Sequence, residues 1–130
     1  MRVTYNQMVV QTELSDTEVD LIFHALADAT RRDIVSRVMV REQSVSSLAA
    51  GYAMSFAAVQ KHVAVLERAS LVTKQRNGRE QVVHGNPEAL RRASRLLDRY
   101  EELWRDRVSR MEDILAADDR RGDQEEGAPA

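Results

Sequence analysis

Between Ser55 and His84 the spacing of apolar residues switches from helical to strand-like within a few positions, and few architectures accommodate such a switch. Val59, His62/Val63 and Leu66 recur at i, i+3/i+4 and i+7, which places them on one face of an α-helix. That face is expected to be buried. Directly after it, Leu71 to Gln75 and Glu80 to His84 are short runs rich in Val, Thr and Gln, joined by Arg76-Asn77-Gly78-Arg79. Asn-Gly between β-prone runs is the strongest short hairpin signal, and it predicts a type I′ turn with positive φ at both central residues.

Ser55 is placed to cap this helix, its hydroxyl accepting from an otherwise unpaired early backbone N–H, so that Phe56, Ala57 and Ala58 form the first turn. The face opposite the apolar one carries Ala57, Gln60, Lys61, Ala64 and Arg68. Small residues at its start permit close approach to a DNA major groove. Gln60 and Lys61 are the expected direct readers, because Gln bonds adenine bidentately and Lys bonds guanine or phosphate. Ser55 and Ala57 are expected near the groove, while Phe56 either touches a thymine methyl or covers the turn. His62 either packs under the helix or reaches a phosphate. At the hairpin tip, Arg76 and Arg79 suit a minor-groove or phosphate contact. An amphipathic core helix with a solvated Gln-Lys face is the plain alternative. The basic hairpin behind it favours a recognition helix followed by a wing, that is, a winged helix-turn-helix.

Upstream, Ser15 or Asp16 caps a first helix with Val19, Ile22, Phe23 and Leu26 in one stripe. Asp28 caps a second, whose buried face is Ile34, Val35, Val38 and Met39. Arg31 and Arg32 fall in its first turns, where the helix dipole disfavours cations. They either pair with Asp28 or a neighbouring carboxylate, or reach DNA phosphate. Ser44 to Tyr52 reads as a short third helix, capped by Ser44 or Ser46, with Ala53-Met54 closing the turn into the recognition helix.

Asn86-Pro87 starts the last helix, Asn86 as cap and Pro87 at the first helical position. It is expected to run to about Ala117. Leu90, Ala93, Leu97, Tyr100, Trp104, Val108, Met111 and Leu115 follow steps of three and four. Such a helix, about 45 Å long at 1.5 Å per residue, exceeds the width of a domain this size, so the other helices cannot cover its stripe. A homodimer through the first and last helices follows, with Val19, Ile22, Phe23, Leu97, Tyr100, Trp104, Val108 and Met111 at its interface. It would hold two recognition helices about 34 Å apart, the spacing of successive major grooves.

Two segments also carry a family resemblance. SFAAVQKHVAVLERASLV resembles the recognition helix of ArsR-type repressors, and ALADATRRDIV resembles the segment that opens their second helix. With the hairpin and the last helix, the resemblance covers roughly Val19 to Leu115. It implies a dimeric winged helix-turn-helix regulator in which the terminal helices form the dimer. Family members often carry Gly where Ala53 and Ser70 stand here, positions that commonly want a left-handed backbone. Soft-metal sensors of this type use Cys pairs on the helix before the recognition helix, where this chain has SVSSLAAGY. Sensors using the last helix need His, and that helix has none. The resemblance is therefore to the cysteine-free, metal-independent branch, with no metal and no cofactor expected.

At 130 residues, 43% hydrophobic and 31% charged, the chain suits one domain with a modest core. Its expected organisation is an N-terminal arm over 1–14, a DNA-binding and dimerisation domain over 15–117, and a disordered acidic tail over 118–130. A net charge of −2 excludes coating of nucleic acid by bulk charge, yet it conceals local contrast. From Ser55 to Arg79, five cations against one carboxylate leave +4, whereas from Asp118 onward five carboxylates against two arginines leave −3. The reading edge is basic and the tail acidic. With no cysteine, disulfides and thiolate chemistry are excluded. Glycines spread singly and three scattered histidines give no phosphate-cradling loop and no catalytic cluster, so no catalytic residue is assigned and an enzyme is not expected. No apolar run approaches a bilayer span and no signal-peptide core opens the chain, so a cytoplasmic location is expected, without membrane contact. The expected partners are double-stranded DNA, a second copy, and an effector, small molecule or protein, that the sequence does not name. The competing readings are a winged-helix interaction module without specific DNA binding, and a metal-responsive repressor with a non-cysteine site. The expected architecture is mainly α with a small β-hairpin, in the order α-α-α-α-β-β-α.

Overall fold

A computed structural model describes residues 15–126; the arm expected over 1–14 and residues 127–130 lie outside it. The elements are α1 (Asp16–Leu26), α2 (Ala29–Val40), β1 (Gln43–Ser44), α3 (Val45–Ala50), α4 (Phe56–Arg68), β2 (Val72–Asn77), β3 (Glu80–Gly85) and α5 (Pro87–Glu126). Four helices start on a side chain that accepts an orphan backbone N–H: Ser15 from Glu18, Asp28 from Arg31, Ser44 from Ser47 and Ser55 from Ala58. Each such cap contributes on the order of 1 kcal/mol. The Arg31 backbone N–H also holds the Asp28 carboxyl below its ordinary range. At α5, Asn86 Oδ1 accepts from the Glu88 N–H at 3.3 Å.

One core gathers the helices under the sheet. Ile22, Ile34, Leu48, Val59, Leu66, Leu71 and Val83 are fully buried in it. Ile22, expected at the dimer interface, is only 2% exposed. Ile22 turns inward within the protomer together with Ala25, while Val19 is half-buried and Phe23 exposed.

The sheet has three strands in the order β1-β3-β2, all antiparallel. The two-residue strand β1 was not expected; it is the extended approach to the Ser44 cap, whose φ of −69° and ψ of 157° are already strand-like. The hairpin differs from expectation by one residue. Asn77 pairs with Glu80, so Gly78-Arg79 is the turn, and of these only Gly78 has positive φ, at 65°. A lone positive φ at a leading Gly is the pattern of a type II′ turn rather than type I′. Burial sets the register: Val72 and Val83, both at most 1% exposed, lie on one face, and a one-residue slip would turn that face to solvent.

The end of α4 is closed by a Schellman motif. Leu71 N–H donates to Leu66 O at 3.0 Å, Ser70 N–H donates to Glu67 O at 2.9 Å, and Ser70 adopts φ 61°. This left-handed position is one of the two at which the family resemblance implies that glycine is common. Ala53 is not left-handed, so its Cβ meets no such penalty.

Arg31 clasps α1 to α2 and α4. Its Nε donates to Ala25 O at 2.7 Å and its Nη2 to His24 O at 3.0 Å, while Arg32 Nη1 donates to Leu26 O at 2.8 Å. Both arginines thus satisfy carbonyls at the C-terminal end of α1, where the dipole favours cations. This use resolves their awkward place at the start of α2. Arg31 Nη1 also lies 3.3 Å from His62 Nδ1. A guanidinium only donates, so His62 Nδ1 accepts and the ring proton sits on Nε2.

The compact unit ends at Ser94, and the rest of α5 forms a second unit. There Leu97, Tyr100, Leu103, Trp104, Met111, Ile114 and Leu115 are 51–62% exposed, and Val108 is half-buried. The helix passes the expected end at Ala117 and continues through residues 118–126, correcting the disordered tail over that stretch. The charges that suggested disorder are spaced for a helix, as in the Asp118–Arg121 pair three residues apart.

Two measurements test these local arguments. Ser70→Gly relieves about 1–2 kcal/mol of left-handed strain at about 0.4–1 kcal/mol of added chain entropy, so denaturant unfolding is expected to show a gain of roughly 0.5–1 kcal/mol. A lower midpoint would mean that Ser70 is unstrained. Ring ¹⁵N spectra at neutral pH are expected to show His62 as the Nε2–H tautomer, with Arg31→Met relaxing that preference; a dominant Nδ1–H form would remove the Arg31 contact.

Candidate nucleic-acid interface

Burial of Val59, Val63 and Leu66 turns the other side of α4 outward. Ser55, Phe56, Ala57, Gln60 and Lys61 are all exposed at its N-terminal end. Ser55 Oγ accepts from the Ala58 N–H at 3.1 Å, so its part here is to start the helix. Phe56, at 46% exposure, presents much of an aromatic ring to solvent.

The wing brings its cations to the same place. Phe56 and Gln60 of α4 line one groove with Arg76 and Arg79 of the hairpin, and its volume is about 280 Å³. Val45 and Ser46 of α3 and Glu80 and Gln81 of β3 complete the walls. Four of the sequence-expected residues thus converge on one concavity between helix and wing, while Ala57 and Lys61 lie outside its lining. His62 is half-buried and turned to Arg31, the packed alternative of the two the sequence allowed.

The cations differ in how far the fold already uses them. Lys74 pairs with Glu67 at 3.5 Å and His84 Nδ1 lies 2.8 Å from Glu42, whereas Arg76 Nε donates to Gly78 O at 3.3 Å across the turn. Among the described residues Lys61 and Arg79 have no hydrogen-bond or ion-pair partner. Unspent surface cations are the groups that displace counterions from a phosphate backbone. Glu80 is the one carboxylate in the groove lining, and it offsets part of that field.

Sequence reading did not identify Ser46, Gln81 or Glu80 as part of this edge. The sequence marks Ser46 only as a candidate cap, and its exposure beside Phe56 depends on how α3 meets α4. Gln81 faces the groove because the register pairs it with Arg76. Among the described residues no three His, Cys, Asp or Glu side chains are grouped to hold a metal ion, and no helix is long and apolar enough to cross a membrane.

No family model matches the chain. It is 37% identical over 81 residues to the HTH-type transcriptional regulator Rv2034 of Mycobacterium tuberculosis, covering 62% of this chain and 76% of that protein. Among solved structures, the ArsR-like transcriptional regulator from Rhodococcus sp. RHA1 superposes with a TM-score of 0.67 at 32% identity, over 75% of this chain and 92% of that one. The homodimeric winged helix-turn-helix DNA-binding domain Mb0332 from Mycobacterium bovis shares the fold at 21% identity and a TM-score of 0.55, over 66% of this chain and 81% of that one. Sequence relatives and fold agree with the groove built by α4 and its wing: the chain belongs to the ArsR family of winged helix-turn-helix transcriptional regulators.

Proposed function

We propose that two copies of this chain, joined along α1 and α5, bind an imperfect palindrome and repress a promoter by occluding it. The convergence of Phe56, Gln60, Arg76 and Arg79 on one groove carries this reading. Gln60 and Lys61 read base edges in the major groove, with Phe56 against a thymine methyl and Ser55 and Ala57 allowing close approach. Arg79 and Arg76 take phosphate or the minor groove, and His62 supports the helix from behind through Arg31. Val19 and Phe23 of α1 and Leu97, Tyr100, Trp104, Val108 and Met111 of α5 supply the contact between copies. Apolar exposure of 51% or more at four of those α5 positions is costly in an isolated protomer, and the Mb0332 domain is itself homodimeric. Reading head and dimer contact fall within residues 15–117, and a cytoplasmic location suits a protein that works on DNA. An effector that alters the angle between the two heads would relieve repression.

Selection of binding sites from genomic fragments by the purified protein yields the operator and opens the tests. Gln60→Ala with Lys61→Ala is expected to weaken specific binding by at least about tenfold, since a bidentate base contact contributes about 1–3 kcal/mol. Sedimentation should show the dimer intact, and undiminished operator affinity would take both residues out of the mechanism. Arg79→Ala is expected to weaken binding to all sequences and to lower the slope of log K against log salt by about one unit. An unaltered slope would place the wing off the DNA.

A further inference from the structure

We propose that the cavity at the C-terminal end of α4 binds a small zwitterion with a short apolar body, an aliphatic amino acid being the fitting chemical class. The cavity measures about 220 Å³ and lies between α1, the last turn of α4 and the start of α5. That is below the ~300 Å³ at which drug-sized sites begin, so its occupant is small. Leu21, Ile22, Ala69 and Ala89 are its apolar lining; Leu21 is the half-buried one among them, and an aliphatic side chain resting on it leaves water.

The wall supplies both signs of charge. Glu18, Glu88, Arg68 and Arg92 line it, two carboxylates against two guanidiniums, so neither a bare anion nor a bare cation gains from the local field. Separated charges of both signs favour a ligand that carries both. Arg92 bridges the carboxylates loosely, Nη1 to Glu18 at 3.5 Å and Nε to Glu88 at 3.4 Å, while Ser15 Oγ donates to Glu18 at 3.1 Å and Arg91 Nη1 lies 3.5 Å from Glu88. A well-made charge-assisted bond is about 2.7–2.9 Å, and an ionised carboxylate offers about four acceptor sites. Capacity therefore remains for a ligand ammonium group. Arg68 has no partner among the described residues, and its planar fork suits a ligand carboxylate bidentately.

The position gives the site a consequence that rests on the DNA-binding reading, although ligand binding itself does not. Ser70 O, at the left-handed end of α4, accepts from Asn86 Nδ2 at 2.8 Å, so the cavity sits where the reading helix is tied to α5. A ligand bonded to Arg68 on α4 and to Glu18 or Glu88 fastens α4 to its neighbours. Operator and ligand then change one another's affinity by the same factor.

Calorimetric titration of the full chain with L-leucine, 4-methylpentanoate and 3-methylbutylamine tests the class and the place together. Saturable leucine binding is expected, with the acid and the amine each weaker by at least about tenfold. Arg68→Gln should lose a similar factor while melting at the wild-type temperature. Absence of saturable binding by leucine and by the other aliphatic amino acids at millimolar concentration would overturn the inference. So would equal binding of leucine and 4-methylpentanoate, or wild-type affinity in Arg68→Gln. Fragment selection run in parallel separates the two claims: specific DNA binding without leucine binding sinks this one alone, and leucine binding without DNA preference sinks the other.

Discussion

Val59, Val63 and Leu66 are at most 1% exposed, and their burial sets the rotation of α4 about its own axis. Each such side chain contributes about 1.5–3 kcal/mol by leaving water. Turning the helix to hide Gln60 and Lys61 would forfeit several of these at once. The outward face of α4 is therefore a by-product of the core: what is exposed at Phe56, Ala57, Gln60 and Lys61 is whatever remains after the inward stripe is satisfied. The same core decides the wing, since Val72 and Val83 must share its face, and that pairing makes Gly78-Arg79 the turn.

Polar contacts refine this placement. Arg31 reaches backward from α2 to the carbonyls ending α1 and also meets His62 on α4, so one guanidinium joins three helices. Tyr52 donates to Asp33 while Arg37 lies over its ring at 5.2 Å, which ties the loop before α4 to α2. Burial and the Asp33 bond both raise the Tyr52 phenol above its ordinary range, so it remains the donor. Both ends of the loop into the recognition helix are thus held, one by the Ser55 cap and the other by this cluster.

Features governed by near neighbours in sequence were legible from it. The caps at Asp28, Ser55 and Asn86 stand where a short polar side chain precedes a periodic run, whereas of the two positions that the family resemblance marked as left-handed only Ser70 is so, and Ala53 is not. What depends on distant contacts was not. The Asn-Gly pair marked the hairpin, yet the turn fell one residue later because register answers to Val72 and Val83. Ile22 lay on a stripe with Val19 and Phe23, and only the packing of α1 showed that it faces its own core. Strand β1 is too short to carry a period, and the groove residues Ser46 and Gln81 acquire meaning only from the elements beside them.

The apolar positions of α5 from Leu97 through Tyr100, Trp104, Val108 and Met111 to Leu115 advance by about 3.6 residues on average, the repeat of the α-helix itself. A heptad seam drifts around a straight helix and forces a left-handed supercoil. This one keeps Leu97, Trp104 and Met111 a heptad apart and breaks the alternation of threes and fours once, at the step from Trp104 to Val108. Its cost is rigidity in length: losing one residue between Trp104 and Val108 would set the two halves of the seam about 100° apart, and Met111 and Leu115 would no longer face the same way as Leu97.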